Sequence, residues 1–558
     1  MKHSRVALAA LTLGLALVSQ PLAVSRSEAA PAAAQAEAVS KAEETIQPKA
    51  FNSTVAFDVY AEVGGKTQKV GRTPAEQPLT IPPCRWWYVA PRPPVDMEKV
   101  RQELETQRIP GLKLDDATDA GLEQMEGLTR LQFLDLSGDY HNLTDTGLHY
   151  LKGLTGLQYL SLGLGNTKVT DEGLEHLEGA MALRQLGLRS TLVTDAGLEH
   201  LKGLTNLTRL GLQELKITDD GLEHLRGLTA LQELDLTGTK GVTGAGLEHL
   251  KGLTALRSLS LWHTDVADAG LQHLKGLTAL RWLYLGGTQV TDAGLEQLKG
   301  LTNLQELGLD GLKVTDAGLE HLKGLTALEW LELSSTRVTD AGLERLKGLT
   351  ALRCLVLAGT NVTDAGLENV RSLTALRGLY LGGTQVTDAG LMQLRGLTVL
   401  ETLDLGGTRL TDAGLEHLKG LTALQELNLW DTKVTDAGLE HLKGLTGLKR
   451  LRLNGTQVTD AGLEHLKGLT VLKELHLGGT EVTDAGLGHL KGLTNLRDLD
   501  LQNTKITDAG LEHLKGLTAL ERLDLANTEV TDAGIRELKK FLPNVRVVSG
   551  GGELEKVQ

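Results

Sequence analysis

Leucine recurs along this chain in a pattern that repeats every 24 residues over most of its length. Residues 328–350 show it clearly, since LEWLELSSTR is followed there by VTDAGLERLKGLT. In the first half, L-x-x-L-x-L, the last two leucines are two positions apart and therefore lie on one face of a strand. In the second half, two leucines three positions apart lie on one side of a short helix. Each copy thus predicts one strand and one short helix.

The aspartate of the Thr-Asp pair gives the register of the repeat. It recurs every 24 residues from Asp268 to Asp532, and upstream, from Asp119 to Gly244, the steps are 26, 26, 24, 24 and 25 residues. The L-x-x-L-x-L half occurs in 19 copies, from residues 109–114 to residues 542–547, in 18 turns of the repeat. Because one copy cannot bury its own leucines, neighbouring copies are expected to stack into a continuous parallel sheet.

The polar positions of the repeat have predicted structural roles. A threonine such as Thr288 ends the Gly-rich turn after each strand, and its hydroxyl can bond to the loop backbone. Leu215 and Leu312 stand at this position in two copies, where we expect a local rearrangement. The threonine or the aspartate of the Thr-Asp pair is expected to cap the helix. Glu199 and Lys202, three positions apart, are expected to pair on the outer surface.

The form L-x-x-L-x-L-x-x-T-x-V-T-D-A-G-L resembles the leucine-rich-repeat superfamily over residues 109–548. It is similar to the ribonuclease-inhibitor-like and cysteine-containing repeats, as in secreted bacterial leucine-rich-repeat proteins, and GLTNL at residues 203–207 is internalin-like. The resemblance implies an α/β solenoid, a horseshoe with a parallel β-sheet on its concave face and short helices on its convex face. A substrate-recognition arm of a ubiquitin-ligase adaptor would carry an F-box module, and we recognise none before the repeats.

The N-terminus predicts a secretory signal peptide over residues 1–29. Lys2 and Arg5 precede an apolar run at residues 6–18, and cleavage after Ala29 or after Ala36 fits the small residues that follow. The apolar run is shorter than the roughly 20 residues that span a bilayer. We therefore expect a secreted, periplasmic or cell-surface protein without stable membrane insertion.

The segments around the repeats differ from them in composition. Residues 30–50 are rich in Ala, Glu and Gln and predict a disordered linker, as does the tail at 549–558. Residues 51–108 predict a small β-module followed by a short helix. Its Trp86, Trp87 and Tyr88 could form a binding patch, but we favour a cap that covers the exposed apolar end of the first repeat.

Charge and motifs narrow the classes of function. The net charge of −14 argues against nucleic acid and anionic membranes as partners. Cys84 and Cys354 lie far apart and form no metal-spaced or redox pair. No phosphate loop, nucleophile elbow or H-E-x-x-H motif occurs, and the histidines that recur at one repeat position are interpreted as a solvated ladder. We expect a monomer that is not an enzyme, with no catalytic residues, cofactor or metal.

The varied positions of the strands are the candidates for binding. Residues before and between the last two leucines point away from the core, and aromatic residues cluster there between Trp262 and Tyr380. We expect a protein ligand, while a glycan or cell-envelope polysaccharide and a structural spacer without a ligand remain alternatives. The predicted contact residues are Trp262, His263, Arg281, Trp282, Tyr284, Glu306, Trp330, Glu332, Arg353, Tyr380 and Trp430.

Overall fold

The structure is a computed structural model that describes residues 49–64, 66–138, 142–163, 167–550 and 552–553. It divides into two compact units, one up to residue 168 and the other from residue 169 onward. The predicted signal peptide, all but the last two residues of the predicted linker, and most of the predicted tail lie outside the described residues. In the described ranges, no helix has the length and the apolar character needed to cross a bilayer.

The first unit combines a small antiparallel sheet with the first strands of the repeat. Strand β2 pairs with β3 and β5, β1 pairs with β4, and β6, β7 and β8 pair in parallel. One residue pair, Val89 with Leu112, joins β5 to β6 in parallel. The strands are β1 Lys49–Phe51, β2 Phe57–Val63, β3 Lys66–Arg72, β4 Leu79–Ile81, β5 Trp87–Pro91, β6 Gly111–Lys113, β7 Phe133–Asp135 and β8 Tyr159–Ser161; the helices are Met97–Gln107, Asp119–Glu123 and Asp145–His149.

Aromatic rings connect the antiparallel sheet of the first unit to its repeat strands. Tyr88 on β5 stacks on Phe133 on β7 at 4.7 Å between ring centroids, and Phe133 stacks on Tyr159 on β8 at 4.3 Å. Trp86 lies against both Phe133 and Tyr159, at 5.8 and 5.9 Å. Trp87 points the other way, is 1% exposed, and packs on Phe51. The neighbouring tryptophans thus serve two different contacts within this unit.

The second unit contains one strand in each successive copy of the repeat. Neighbouring strands are parallel and in register, so that the middle leucines align across the sheet, as Leu283, Leu307 and Leu331 do. The strands are β9 Gln185–Gly187, β10 Arg209–Gly211, β11 Glu233–Asp235, β12 Ser258–Ser260, β13 Trp282–Tyr284, β14 Glu306–Gly308, β15 Trp330–Glu332, β16 Cys354–Val356, β17 Gly378–Tyr380, β18 Thr402–Asp404, β19 Glu426–Asn428, β20 Arg450–Arg452, β21 Glu474–His476, β22 Asp498–Asp500, β23 Arg522–Asp524, β24 Arg546–Ser549 and β25 Gly552–Glu553, the last antiparallel to β24.

A short helix follows almost every strand of the second unit. The α-helices are Asp171–Glu175, Asp195–Leu198, Asp219–Glu223, Asp292–Leu295, Asp316–Leu319, Asp340–Leu346, Asp364–Val370, Asp388–Leu391, Asp412–Leu415, Asp436–Leu439, Asp460–Leu463, Asp484–Leu487, Asp508–Leu511 and Asp532–Lys539. The 3₁₀ helices are Glu199–Leu201, Gly246–Leu250, Asp268–Leu274, Glu296–Leu298, Glu320–Leu322, Met392–Gly396, Glu416–Leu418, Glu440–Leu442, Glu464–Leu466 and Gly488–Gly492. The predicted α/β solenoid, with leucines buried between sheet and helices, is confirmed.

The turn after most strands of the second unit is held by the predicted threonine. The Thr264 hydroxyl donates to the Leu261 carbonyl at 2.7 Å, and the same bond recurs in other copies. The rearrangement expected at Leu215 and Leu312 does not occur. Both leucines are buried, and their backbone N–H groups still donate to the carbonyl three residues earlier, at 3.4 and 3.3 Å. An apolar side chain therefore fills this position without the hydroxyl.

The repeats are connected through their aspartates, which corrects the predicted role of this residue as an alternative helix cap. Threonine is the N-cap, and the carboxylate bonds instead to the next copy. Asp412 accepts the backbone N–H of Thr435 with Oδ1 and its hydroxyl with Oδ2, both at 2.7 Å. We call the series of these bonds the Asp–Thr ladder; in the second unit it runs over Asp171, Asp195 and Asp219, and from Asp268 to Asp508. A Cβ on Gly438 would lie 2.4 Å from Asp412 Oδ1, so the glycine makes room for the carboxylate.

Among the described junctions of the second unit, one lacks the ladder. Gly244 replaces the aspartate there and Ala267 replaces the threonine of the following copy, so donor and acceptor are missing together. The two copies also lie closer. A Cβ on Gly270 would be 2.3 Å from the Cα of Gly244, whereas the corresponding distance from Gly294 to the Asp268 Cα is 3.2 Å.

Candidate ligand-binding face

The first and third residues of each strand from β9 to β24 lie on the side of the sheet away from the leucine core. In β13 and β15 these residues are half-buried while the middle leucine is fully buried. We call the set of first and third residues of β9 to β24 the open sheet face. Most of the predicted contact residues belong to it or to the turns that border it.

Three consecutive strands bring the central predicted residues together. Trp282 on β13 pairs in register with Glu306 on β14, which pairs with Trp330 on β15. Tyr284 and Glu332 occupy the third positions of the outer two strands, with Gly308 between them. These three strands form the centre of the candidate site, which we call the aromatic patch: Trp282, Tyr284, Glu306, Trp330 and Glu332.

The aromatic side chains of the patch differ in how they are held. The Tyr284 hydroxyl donates to Glu306 Oε2 at 2.6 Å. The Tyr284 ring lies over Gly308, where a Cβ would be 3.1 Å from it. Within the described part of the chain, the indoles of Trp282 and Trp330 neither donate a hydrogen bond nor stack on another ring. Both indole N–H groups are therefore available to a ligand.

Trp262 and His263 lie in the turn after β12, at the border of the patch. Trp262 Nε1 donates to Asp310 Oδ2, 3.0 Å away and two copies ahead. Asp310 reaches it across Gly286, whose Cβ would lie 2.2 Å from Asp310 Oδ1. The ring of exposed His263 packs beside Trp262 at 4.0 Å between centroids. Trp262 is thus fixed in place, in contrast to Trp282 and Trp330.

The carboxyl group of Glu332 lies in a poorly hydrated position. It accepts the backbone N–H of Ser334 at 3.0 Å and also the Ser334 hydroxyl. Burial raises the pKa of Glu332 to about 7, the nearby charge of Asp310 acts in the same direction, and the Ser334 hydrogen bonds act against them. The neighbouring Cys354 is itself buried, and burial together with the charges of Glu332 and Glu306 raises the pKa of its thiol. The sequence prediction did not include Cys354.

Tyr380 lies on β17, two strands beyond β15, and is the last of the aromatic residues that cluster between Trp262 and Tyr380. Its ring lies over Gly378 and near Cys354, since a Cβ on Gly378 would be 3.2 Å from the Tyr380 ring and 3.3 Å from the Cys354 sulfur. Burial raises the pKa of the Tyr380 hydroxyl. Val356, buried between Glu332 and Tyr380 in the same row, makes this part of the face apolar. Repeating the position analysis over all strands would have identified Cys354 and Val356.

The predicted arginines lie on the rim, not within the patch. Arg353 immediately precedes β16, is exposed, and forms an ion pair with Glu329 at 3.4 Å. Arg281 precedes β13 in the same way and is half-buried. Trp430 lies apart from the patch: it follows β19, is 43% exposed, and packs over Gly406, where a Cβ would be 2.0 Å from its ring.

The strands beyond the aromatic section carry an array of ionic side chains on the open sheet face. Arg450 on β20 lies between Glu426 at 2.5 Å and Glu474 at 2.8 Å, and these carboxylates raise the pKa of its guanidinium against the opposing effect of burial. Arg522 on β23 bonds to Asp498 at 3.4 Å and to Asp524 at 3.0 Å. The charges of this section are thus largely satisfied within the protein. Over the described residues, no group of three or more His, Cys, Asp or Glu side chains could hold a metal ion.

Comparisons with known proteins agree on the repeat. Family models described as "Leucine-rich repeat region" and "Leucine rich repeat" match residues 256–461 and 470–530. Similar solved structures include an internalin from Listeria monocytogenes (25% identity, 68% of this chain and 88% of that one, TM-score 0.40). Others are a leucine-rich-repeat protein of Leptospira interrogans (20%, 76% and 91%, 0.39) and the plant peptide hormone receptor RGFR1 in complex with RGF2 (15%, 76% and 78%, 0.39). No curated protein matches the chain.

Proposed function

Because the chain belongs to the leucine-rich-repeat superfamily, we propose that it is an exported, non-enzymatic scaffold that binds a protein partner through the aromatic patch. One observation carries the proposal. Trp282 and Trp330 are half-buried on the same face of the sheet, two copies apart, and neither uses its indole N–H within the described part of the chain. Tryptophan is the residue type most enriched at the energetic centres of protein interfaces.

The surroundings of the patch support the same proposal. Apolar and small residues extend it toward Tyr380, and arginines with partly paired charges border it. An apolar centre with a polar rim is the usual composition of a protein interface. The open sheet face from β20 to β23 has no Phe, Trp or Tyr, and its charged side chains pair with one another. Fewer of its groups are therefore available to bind a partner.

For the remaining parts of the chain we propose the roles that the sequence predicts. Residues 51–108 act as a cap of the first repeat, supported by the pairing of β5 with β6 and by the contact of Trp86 with Phe133 and Tyr159. Residues 1–29 direct export, followed by a linker at 30–50, and residues 109–548 form the repeat solenoid before the tail. Mass spectrometry of the mature protein tests export, since its N-terminus should begin at Ala30 or at Glu37.

The binding proposal is tested by capture of partners from the native envelope fraction. A variant with Ala at Trp282, Tyr284 and Trp330 should lose the captured protein while its melting temperature stays within a few degrees of the unchanged chain. The matched control carries Ala at Glu474, His476 and Arg522, which occupy the same positions on β21 and β23, and it should retain capture.

Three results would overturn the proposal. Equal capture by the patch variant and the control would show that the partner binds elsewhere. Retention of the unchanged chain on a polysaccharide column, lost in the patch variant, would show that the ligand is a glycan. Absence of any ligand in both assays would favour a spacer.

A further inference from the structure

We propose that the junction between Gly244 and Ala267, which we call the ladder gap, divides the repeats of the second unit into two blocks that unfold separately. The upstream block covers residues 169–256 with β9 to β11, and the downstream block begins with β12. The aromatic patch lies on β13 to β15, within the downstream block. The upstream copies can therefore open while the patch stays folded, whether or not a partner is bound.

Backbone hydrogen bonds hold neighbouring copies together at the ladder gap as they do elsewhere. The Asp265 N–H donates to the Val242 carbonyl at 3.1 Å, and at a complete junction the Lys433 N–H donates to the Leu410 carbonyl at 3.0 Å. The sheet is also continuous, since β11 pairs with β12 in register. The ladder gap thus keeps the bonds of the backbone and lacks the two carboxylate bonds that every other described junction of the second unit has.

The missing bonds are of the stronger kind, because a charged acceptor strengthens a hydrogen bond. Two features offset their loss in part. The close approach of Gly244 to Gly270 adds contacts between a few atoms, each of which is individually weak. The hydroxyls of Thr237 and Ser260 share a neutral hydrogen bond of 2.8 Å across the junction. Neither replaces two short bonds to a carboxylate, so the interface at the ladder gap is the weaker one.

The helices of the two copies that meet at the ladder gap are also atypical. Gly246–Leu250 and Asp268–Leu274 are 3₁₀ helices throughout, whereas the helix of every other described copy in the second unit begins with an α-helical turn. Ala267, at the N-cap of the second of these helices, makes no side-chain cap bond. The hydrogen bonds of a 3₁₀ helix have poorer geometry than those of an α-helix. Both copies are therefore less stable in themselves, in addition to their weaker interface.

A stacked array divides where its interfaces are weakest. The stability of such an array is approximately the sum of the stabilities of its copies and of the interfaces between neighbours. Opening one side of a weak interface takes little stability from the other side, so a cooperative unit ends there. The upstream block has the three strands β9 to β11, and the downstream block has β12 to β24. Because the upstream block contains fewer interfaces, we expect it to open first.

Hydrogen exchange of the full chain in low concentrations of urea, measured by mass spectrometry of peptic peptides, tests the proposal. The backbone amides of β10 and β11 should lose protection together, at a lower urea concentration than those of β12 and β13. At equal urea, we expect protection to rise by about tenfold or more between β11 and β12. Neighbouring strands from β13 to β19 should differ by less than about threefold.

Two double variants test the cause of this step. Gly244→Asp with Ala267→Thr supplies the missing acceptor and donor, and Gly270 already stands at the position that makes room for the carboxylate at other junctions. The step between β11 and β12 should then disappear. Asp412→Ala with Thr435→Ala removes the bonds of a complete junction and should create a new step between β18 and β19.

Equal protection of β11 and β12 in the unchanged chain would overturn the proposal. A step that persists in the repaired variant, when its circular dichroism matches that of the unchanged chain, would also overturn it. Repair requires the two copies to separate, because a Cβ on Gly244 would lie 2.8 Å from the Gly270 Cα. If the repaired variant does not fold, the variant at Asp412 and Thr435 decides. A new step between β18 and β19 supports the proposal, and its absence overturns it.

Discussion

Removal of one carboxylate from the Asp–Thr ladder should destabilise the solenoid far more than its surface position suggests. Asp412→Ala deletes two hydrogen bonds of 2.7 Å from a charged acceptor to Thr435. Hydrogen bonds to charged groups contribute about 1.5–3 kcal/mol each, and the lower value suits a half-buried carboxylate. We therefore expect the free energy of unfolding to fall by about 3 kcal/mol, measured by urea denaturation and far-UV circular dichroism.

Two comparisons give this prediction its specificity. Glu440→Ala removes the same charge from the next copy, the one that contains Thr435, but breaks only a surface ion pair with Lys443, 3.6 Å long, and should cost under about 1 kcal/mol. In a double-mutant cycle, Thr435→Ala should cost at least about 1 kcal/mol less when Asp412 is already alanine. Equal costs for Asp412→Ala and Glu440→Ala, or no coupling between Asp412 and Thr435, would refute the reasoning.

Two further predictions concern single positions. Gly462→Ala should lower the free energy of unfolding by more than about 1 kcal/mol, because the new Cβ would lie 2.4 Å from Asp436 Oδ1. Gly468→Ala is the control: a Cβ there would have no atom within 4 Å, so it should not destabilise the protein. Equal urea midpoints for the two variants would contradict this prediction. Burial raises the pKa of Glu332 to about 7 from an ordinary 4.5, and Asp310, Glu306 and Cys354 are the titratable groups around it. The folded state thus binds this proton more tightly than the unfolded one, so stability should fall by up to about 3 kcal/mol between pH 4.5 and pH 8. Glu332→Gln should remove that part of the fall, and identical pH profiles for the two proteins would contradict the assignment.

The period of the leucines was sufficient to predict the architecture, because every copy has the same leucine positions and must bury them in the same way. A leucine row in the strand and a second row in the helix require burial, and stacking is the one arrangement that buries both. The hydroxyl bond of Thr264 and the ion pair of Glu199 with Lys202 at 3.2 Å also follow from residues close in sequence. Both predictions are confirmed.

The role of the repeated aspartate could not be predicted in the same way. An aspartate beside the start of a helix can accept hydrogen bonds either from the N–H groups of its own helix or from a neighbouring copy. The residue type alone does not distinguish these two cases. The partner of Asp412 lies 23 residues ahead, and its position is fixed only once the copies are in register. The joint replacement at Gly244 and Ala267 was the available signal, since an independent helix cap would not require both to change.

The aromatic residues show a second limit of prediction from position alone. Trp262 and Trp430 occupy the same place in the repeat, two residues after a strand. Trp262 points forward to Asp310, while Trp430 lies back over Gly406. The difference depends on which copies have glycine and which have aspartate at that place, so it requires comparison of neighbouring copies. The binding role of all these residues stays a prediction.

The Asp–Thr ladder also bears on how the gene for such a protein can change. Between Asp268 and Asp532 every junction joins the same donor to the same acceptor at a constant spacing of 24 residues. Unequal recombination that inserts or removes a whole copy therefore recreates a junction of the same kind, and the new chain can fold without compensating substitutions. The junction at Gly244 and Ala267 lacks this property, because a break there would join an aspartate to an alanine or a glycine to a threonine. The number of copies can therefore change downstream of Gly244 and Ala267, but not across that junction. The aromatic patch lies among the downstream copies, so recombination can exchange its copies as well.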